Sequence, residues 1–313
     1  MLVYPSRSWR LGSLIMTLLL SGCATLNPAV NRPVAEFGRA AASLASNYET
    51  TLVARPASLC ESSRTLTLVL TDPHFDARSL AADEALRSCR QLLAEQRARS
   101  VVARAVAAYG RQLALLAGAD PSALETELKA IGKQAKGIAD EAGTPALDPA
   151  RVDALTRLAS LLSELALGTR SRRLTRQLID EAQAPLESLV DEMRLWTEGT
   201  VLPRLQSAIA RRQDALRLIL VPASDQQAVS GALTLPGVTY ATRMAQLSLL
   251  TDIQTLQAEQ ASARRFSLAV MGLLAAHRGL GDAVEGVSSQ AQIDALQNFI
   301  ELVHDLQTAT AGR

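Results

Sequence analysis

The chain has 313 residues, with 32 basic against 31 acidic side chains and 48% hydrophobic but only 3% aromatic residues. A balance this close to neutral provides no field for nucleic acid, so no nucleic-acid partner is expected. The abundance of Ala and Leu and the scarcity of aromatic residues point to helix rather than sheet. All but three of the basic residues are arginine, the exceptions being Lys129, Lys133 and Lys136. This reads as compositional bias, not phosphate recognition.

The first 22 residues have the parts of a secretory leader. Arg7 and Arg10 precede an apolar run from Leu11 to Leu20, and small residues follow. That run is too short to cross a hydrocarbon core of ~30 Å. Leu20-Ser21-Gly22-Cys23 then places an aliphatic residue and two small residues before a cysteine. These four residues resemble the lipobox of bacterial lipoproteins. Gly22-Cys23-Ala24 also fits an ordinary secretory leader cut elsewhere, which is the competing reading.

The resemblance implies removal of residues 1–22 and attachment of a diacylglycerol to the Cys23 thiol, with a further acyl chain on its amine. A thiolate is the nucleophile such an alkylation needs. One acyl chain holds a protein only marginally, whereas two or three hold it stably. In lipoproteins an aspartate after the cysteine favours retention on the inner membrane. Ala24 stands there instead, which implies the outer membrane of a Gram-negative envelope, facing the periplasm.

Residues 23–32 read as a tether and 33–313 as the folded body. Pro33 suits the first turn of a helix, and Val34, Phe37, Ala41, Leu44 and Tyr48 continue it to about Val53. Residues 57–70 are ambiguous between a helix carrying Cys60, which is preferred, and an isolated strand over Thr65 to Leu70. Residues 79–117 are the longest uninterrupted helical pattern, about 60 Å at the usual rise. Leu124, Leu128, Ile131, Ala135 and Ile138 mark a thinner helix that holds Gly132 and Gly137. Asp148-Pro149 opens another helix, with Val152, Leu155, Leu158, Leu162 and Leu165 inward.

The run from Arg170 to Arg176 is the densest basic patch. It reads as a solvated face, with lipid phosphates or an acidic partner as the alternative. Leu178, Ala182, Leu186, Leu189, Met193 and Trp196 follow on a helix expected to kink near Pro185. Gly199 and Pro203 punctuate it before Leu205, Ile209, Leu216 and Ile219. Residues 222–238 read as a loop. Tyr240 opens a long helix to about Leu280, with His277 on its apolar stripe, and Ile293 to Leu306 forms the last one. The sum is an all-α protein, an elongated antiparallel bundle of about eight to ten amphipathic helices.

With Cys23 taken by lipid, Cys60 and Cys89 remain. Export makes a disulfide between them the expected state, closing a loop of roughly 29 residues and contributing about 3–4 kcal/mol. Two free thiols are the alternative. A metal site with His74 and Asp72 or Asp76 matches no zinc spacing.

No His-Glu-x-x-His, phosphate-binding glycine loop or Gly-x-Ser-x-Gly elbow is present. His277 reads as a hydrogen-bonded core histidine and His304 as a surface one. The acidic pairs Asp180-Glu181, Asp191-Glu192 and Glu125 with Glu127 read as solvated helix faces near arginines. No cofactor is expected. The reading is a non-enzymatic, lipid-anchored binding protein with an envelope protein partner and the membrane, held through Cys23. An apolar-ligand carrier or membrane-active helical protein is the alternative, and an unrecognised enzyme comes last.

Overall fold

The computed structural model describes residues 28–53, 85–117, 147–165, 172–220 and 240–311. Among these the chain is all-helical. Helix α1 is Pro28–Asn47 and runs into a π-helical turn, Tyr48–Val53. Helices α2 (Ala85–Leu116) and α3 (Pro149–Leu165) follow. Helix α4 (Arg172–Trp196) passes through a second π turn, Thr197–Val201, into α5 (Leu202–Leu220). Helices α6 (Tyr240–Glu285) and α7 (Gln290–Ala311) complete the described part.

One boundary differs from the sequence expectation. Helix α1 starts at Pro28, five residues before Pro33. Pro28 occupies the first helical position, where its missing N–H costs nothing, and Pro33 is carried inside the helix. Helix α4 carries Pro185 inside its α-helical span. The irregularity comes later, where the Leu202 N–H bonds to the Thr197 carbonyl, five residues back. Pro203 follows without an N–H, so the regular bond to Gly199 is missing and the wider π turn takes its place.

Local chemistry accounts for the starts. The Asp148 carboxylate caps α3, accepting from the Ala150 N–H at 2.9 Å. Ser289 and Gln292 form a capping box on α7: the Ser289 N–H donates to Gln292 Oε1 at 2.8 Å and the Gln292 N–H to Ser289 Oγ at 3.4 Å.

Pairings along the helices set their directions. Gly38 meets Gly110, and the Gln96 side chain reaches the Val53 carbonyl, so α1 and α2 are antiparallel. Phe37 lies by His277 and Tyr48 by Phe266, so α6 also runs against α1. Arg278 pairs with Glu187 and Arg176 with Glu285, setting α4 against α6. Further along, Arg212 of α5 reaches Asp252 of α6 at 3.2 Å.

The α1–α2 crossing is a close one. A Cβ on Gly110 would lie 2.5 Å from the Gly38 carbonyl oxygen and 2.6 Å from the Ala42 nitrogen, so only hydrogen fits at either glycine. Helix α2 is buried round most of its girth over Val101 to Ala103 and Ala105 to Tyr109. That is the pattern of a core helix, with little face left for a partner.

Candidate functional site

Three places join several helices through polar or exposed apolar groups. The first is a buried layer of Phe37 (α1), Tyr109 (α2), His277 (α6) and Phe299 (α7). The Tyr109 hydroxyl and His277 Nε2 are 2.6 Å apart. The His277 ring lies 5.9 Å from Phe37 and 5.6 Å from Tyr109, centre to centre. Phe37 stacks at a tilt on Phe299 at 5.4 Å. Burial lowers the His277 pKa to about 4, against the opposing fields of Glu187 and Asp180, and raises that of Tyr109 well above its usual value. At neutral pH a neutral imidazole therefore meets a neutral phenol. Both are buried, so the pair ties α2 to α6 and presents no open face to a substrate.

The second layer lies at the two π turns. Tyr48 stacks on Phe266 at 4.6 Å and meets the edge of Trp196 at 6.1 Å. Arg99 places its guanidinium 5.8 Å from the Trp196 ring centre and bonds Glu192 at 2.9 Å. Arg151 of α3 reaches the other Glu192 oxygen at 3.5 Å. With Arg99 and Glu192 only 11% and 14% exposed, this is a largely desolvated bridge across α2, α3 and α4. Each π turn also holds a glutamate that accepts from a serine on a neighbouring helix: Glu49 from Ser100 and Glu198 from Ser267. Burial raises the Tyr48 pKa; its hydroxyl lies beside Thr197, whose own hydroxyl donates to the Met193 carbonyl at 2.8 Å.

The third place is the end of the bundle where α1 begins and α6 turns into α7. Pro33, Ala276, Leu280, Ala283, Ile293 and Leu296 line a half-open apolar groove of about 360 Å³. Arg176, near the start of α4, packs on Gly281 at the same end and pairs with Asp180 and Glu285. The Arg170 to Arg176 run is thus part solvated, at the exposed Arg173, and part ion-paired at Arg176.

Of the residues singled out in the sequence, Cys23, Cys60, His74, Glu125, Glu127, Lys129, Lys133 and Lys136 lie outside the described residues. Cys89 falls in the first turns of α2. His277 is in the core as expected, and His304 is exposed. Asp180 pairs with Arg176 four residues away, as a solvated pair would. Glu192 is different: it sits between helices, and its partner Arg99 is 93 positions distant.

Among the described residues, no group of three or more His, Cys, Asp or Glu side chains is placed to hold a metal. No helix among the described residues is long and apolar enough to cross a membrane. No protein-family model matches the chain, and neither a curated protein nor a solved structure matches it.

Proposed function

We propose that the protein is a lipid-anchored, non-enzymatic body of the bacterial envelope that works by binding another envelope protein. The observation that carries this reading is Leu20-Ser21-Gly22-Cys23, behind an arginine-led apolar leader and five residues ahead of the first described helix. The lipid on Cys23 holds the chain to the outer membrane, facing the periplasm, and the helices form the working part. We read that part as an elongated bundle of about eight to ten helices. The 46 residues of α6 support the elongation, since they span about 69 Å at the usual rise.

A helical body with a charge near zero suits binding to protein surfaces more than to polyanions. Among the described residues the exposed large apolar side chains are concentrated on α6, at Met244, Leu247, Leu250, Leu268 and Met271. Partner contacts are therefore expected on α6, not on the buried stretch of α2 from Val101 to Tyr109.

Two measurements test the reading. Cys23→Ala should abolish incorporation of a radioactive fatty acid and block processing before residue 23; unchanged labelling sinks the anchor. A photo-crosslinking residue at Leu247, Leu250 or Leu268 should trap one discrete envelope protein in living cells. A labelled, folded protein that traps nothing from any of the three positions contradicts the binding role.

A further inference from the structure

The α6–α7 turn presents two aliphatic side chains to water at the end of the bundle where α1 begins. Gly286 lies at φ +77°. The Val287 N–H donates to the Asp282 carbonyl and the Gly286 N–H to the Ala283 carbonyl, both at 3.1 Å, which is a Schellman turn. In that motif the residue at the position of Val287 usually packs back on the one at the position of Asp282. Here that position carries a carboxylate, held by Gln292 Nε2 at 2.6 Å. Val287 has no apolar shelf and is 66% exposed, and Ile293 on the first turn of α7 is 40% exposed. Ile293 also borders the groove that Pro33 of α1 helps to line.

Chain length says what lies opposite this end. Five peptide links separate Cys23 from Pro28, so the first residue of α1 is within about 19 Å of the cysteine. Leu250 lies 37 positions before Val287, about 55 Å away along α6. A tether this short keeps the α1 end next to whatever holds Cys23.

We propose that this end of the bundle is seated on the leaflet that carries the Cys23 lipid. Val287 and Ile293 enter the boundary between headgroups and acyl chains, and lipid closes the groove between α1, α6 and α7. The proposal rests on the lipid-anchor reading above. Apolar insertion drives the seating, not charge: Arg32 and Arg173 are exposed at this end, but Glu285 and Asp294 are exposed there too. It should therefore be insensitive to salt. A bundle lying flat along α6 is disfavoured. The exposed row of Leu247, Leu250, Leu268 and Met271 is interrupted on the same face by Gln254, Gln257, Arg264 and Arg265, all exposed.

The test uses the lipidated full chain in phosphatidylcholine vesicles with brominated acyl chains, which quench nearby tryptophan. Trp9 leaves with the leader and Trp196 is buried, so an added tryptophan at an exposed position dominates the response. Val287→Trp should lose most of its added emission and Leu250→Trp almost none, at low and high salt alike. Ile293→Trp is the second probe of the same end, should the first variant fold poorly. Quenching at neither site in fatty-acid-labelled protein overturns the seating and leaves the anchor standing. Equal quenching at both, or quenching at Leu250→Trp alone, overturns it in favour of a body lying along its side. Failure of the protein to take up the fatty-acid label removes the anchor and the seating together.

Discussion

His277 makes the fold acid-sensitive in a defined window. Its burial among Phe37, Tyr109 and the apolar face of α6 lowers its pKa from 6.5 to about 4, with Glu187 and Asp180 opposing and Arg278 assisting the shift. The unfolded chain therefore takes up a proton below about 6.5, while the folded chain refuses it until about 4. The stability associated with the neutral ring is fully present above pH 6.5 and is lost as the pH falls toward 4. A shift of this size corresponds to roughly 3 kcal/mol at 1.36 kcal/mol per pH unit. Urea unfolding of the wild type and of His277→Leu, measured from pH 4.5 to 8, isolates the histidine's contribution, because the carboxylates are common to both. The wild type should lose about 1 kcal/mol more per pH unit than the variant below pH 6. At pH 8 the variant is expected to be weaker by about 1–3 kcal/mol, since the Tyr109 hydroxyl is left buried without its partner. Tyr109→Phe combined with His277→Leu should recover most of that loss. Parallel pH profiles for wild type and His277→Leu would refute the assignment of the shift to this buried ring.

Gly38→Ala should destabilise by at least about 2 kcal/mol in thermal unfolding, because the added methyl meets the Gly110 carbonyl and lies 2.7 Å from the Ala114 nitrogen. Gly199→Ala, with nothing within 4 Å of the new carbon, is the control and should be neutral or stabilising by up to ~1 kcal/mol. Glu192→Gln should cost on the order of 3 kcal/mol in urea unfolding, since it removes the carboxylate charge that faces Arg99 and Arg151, and added salt should alter this little because the pair is largely shielded from solvent. If Cys60 and Cys89 form a disulfide, reduction of the folded protein should lower its stability by about 3–4 kcal/mol. The exported, unreduced chain should then show no free thiol at either cysteine.

Periodicity made much of this architecture legible, and its gaps have physical causes. Asp148-Pro149 announced α3 because a capping carboxylate and a first-turn proline are local signals. The α1 start was misplaced because two prolines, Pro28 and Pro33, both qualify for the first turn, and sequence spacing does not say which one the helix uses. The π turns left no mark: an extra residue per turn changes a spacing of four to five, as between Tyr48 and Val53, and both residues remain buried. His277 was legible from its apolar stripe, but its partner Tyr109 is 168 positions away. Glu192 was read as solvated because only neighbours in sequence were visible. Its burial comes from Arg99 and Arg151, which two other helices supply. The Gly38–Gly110 contact belongs to the same class, since a glycine in a helix signals close approach only once its counterpart is known.

The helix that follows Cys23 in the chain is held on several sides. Val34, Phe37, Ala41, Leu44, Ala45 and Tyr48 of α1 are all buried. The close crossing at Gly38 and Gly110 locks α1 to α2, the aromatic layers lock it to α6, and Phe299 and Gln307 join it to α7. A tether that pulled on a peripheral helix would peel it away, because a single exposed helix is a low-energy unit of local unfolding. One that pulls on α1 must instead move four helices together. On the lipid-anchor reading, Cys23 stands five positions before a helix that is tied to three others. On the proposed seating, the orientation of the body is set by its α1 end, whose exposed aliphatic side chains are Val287 and Ile293.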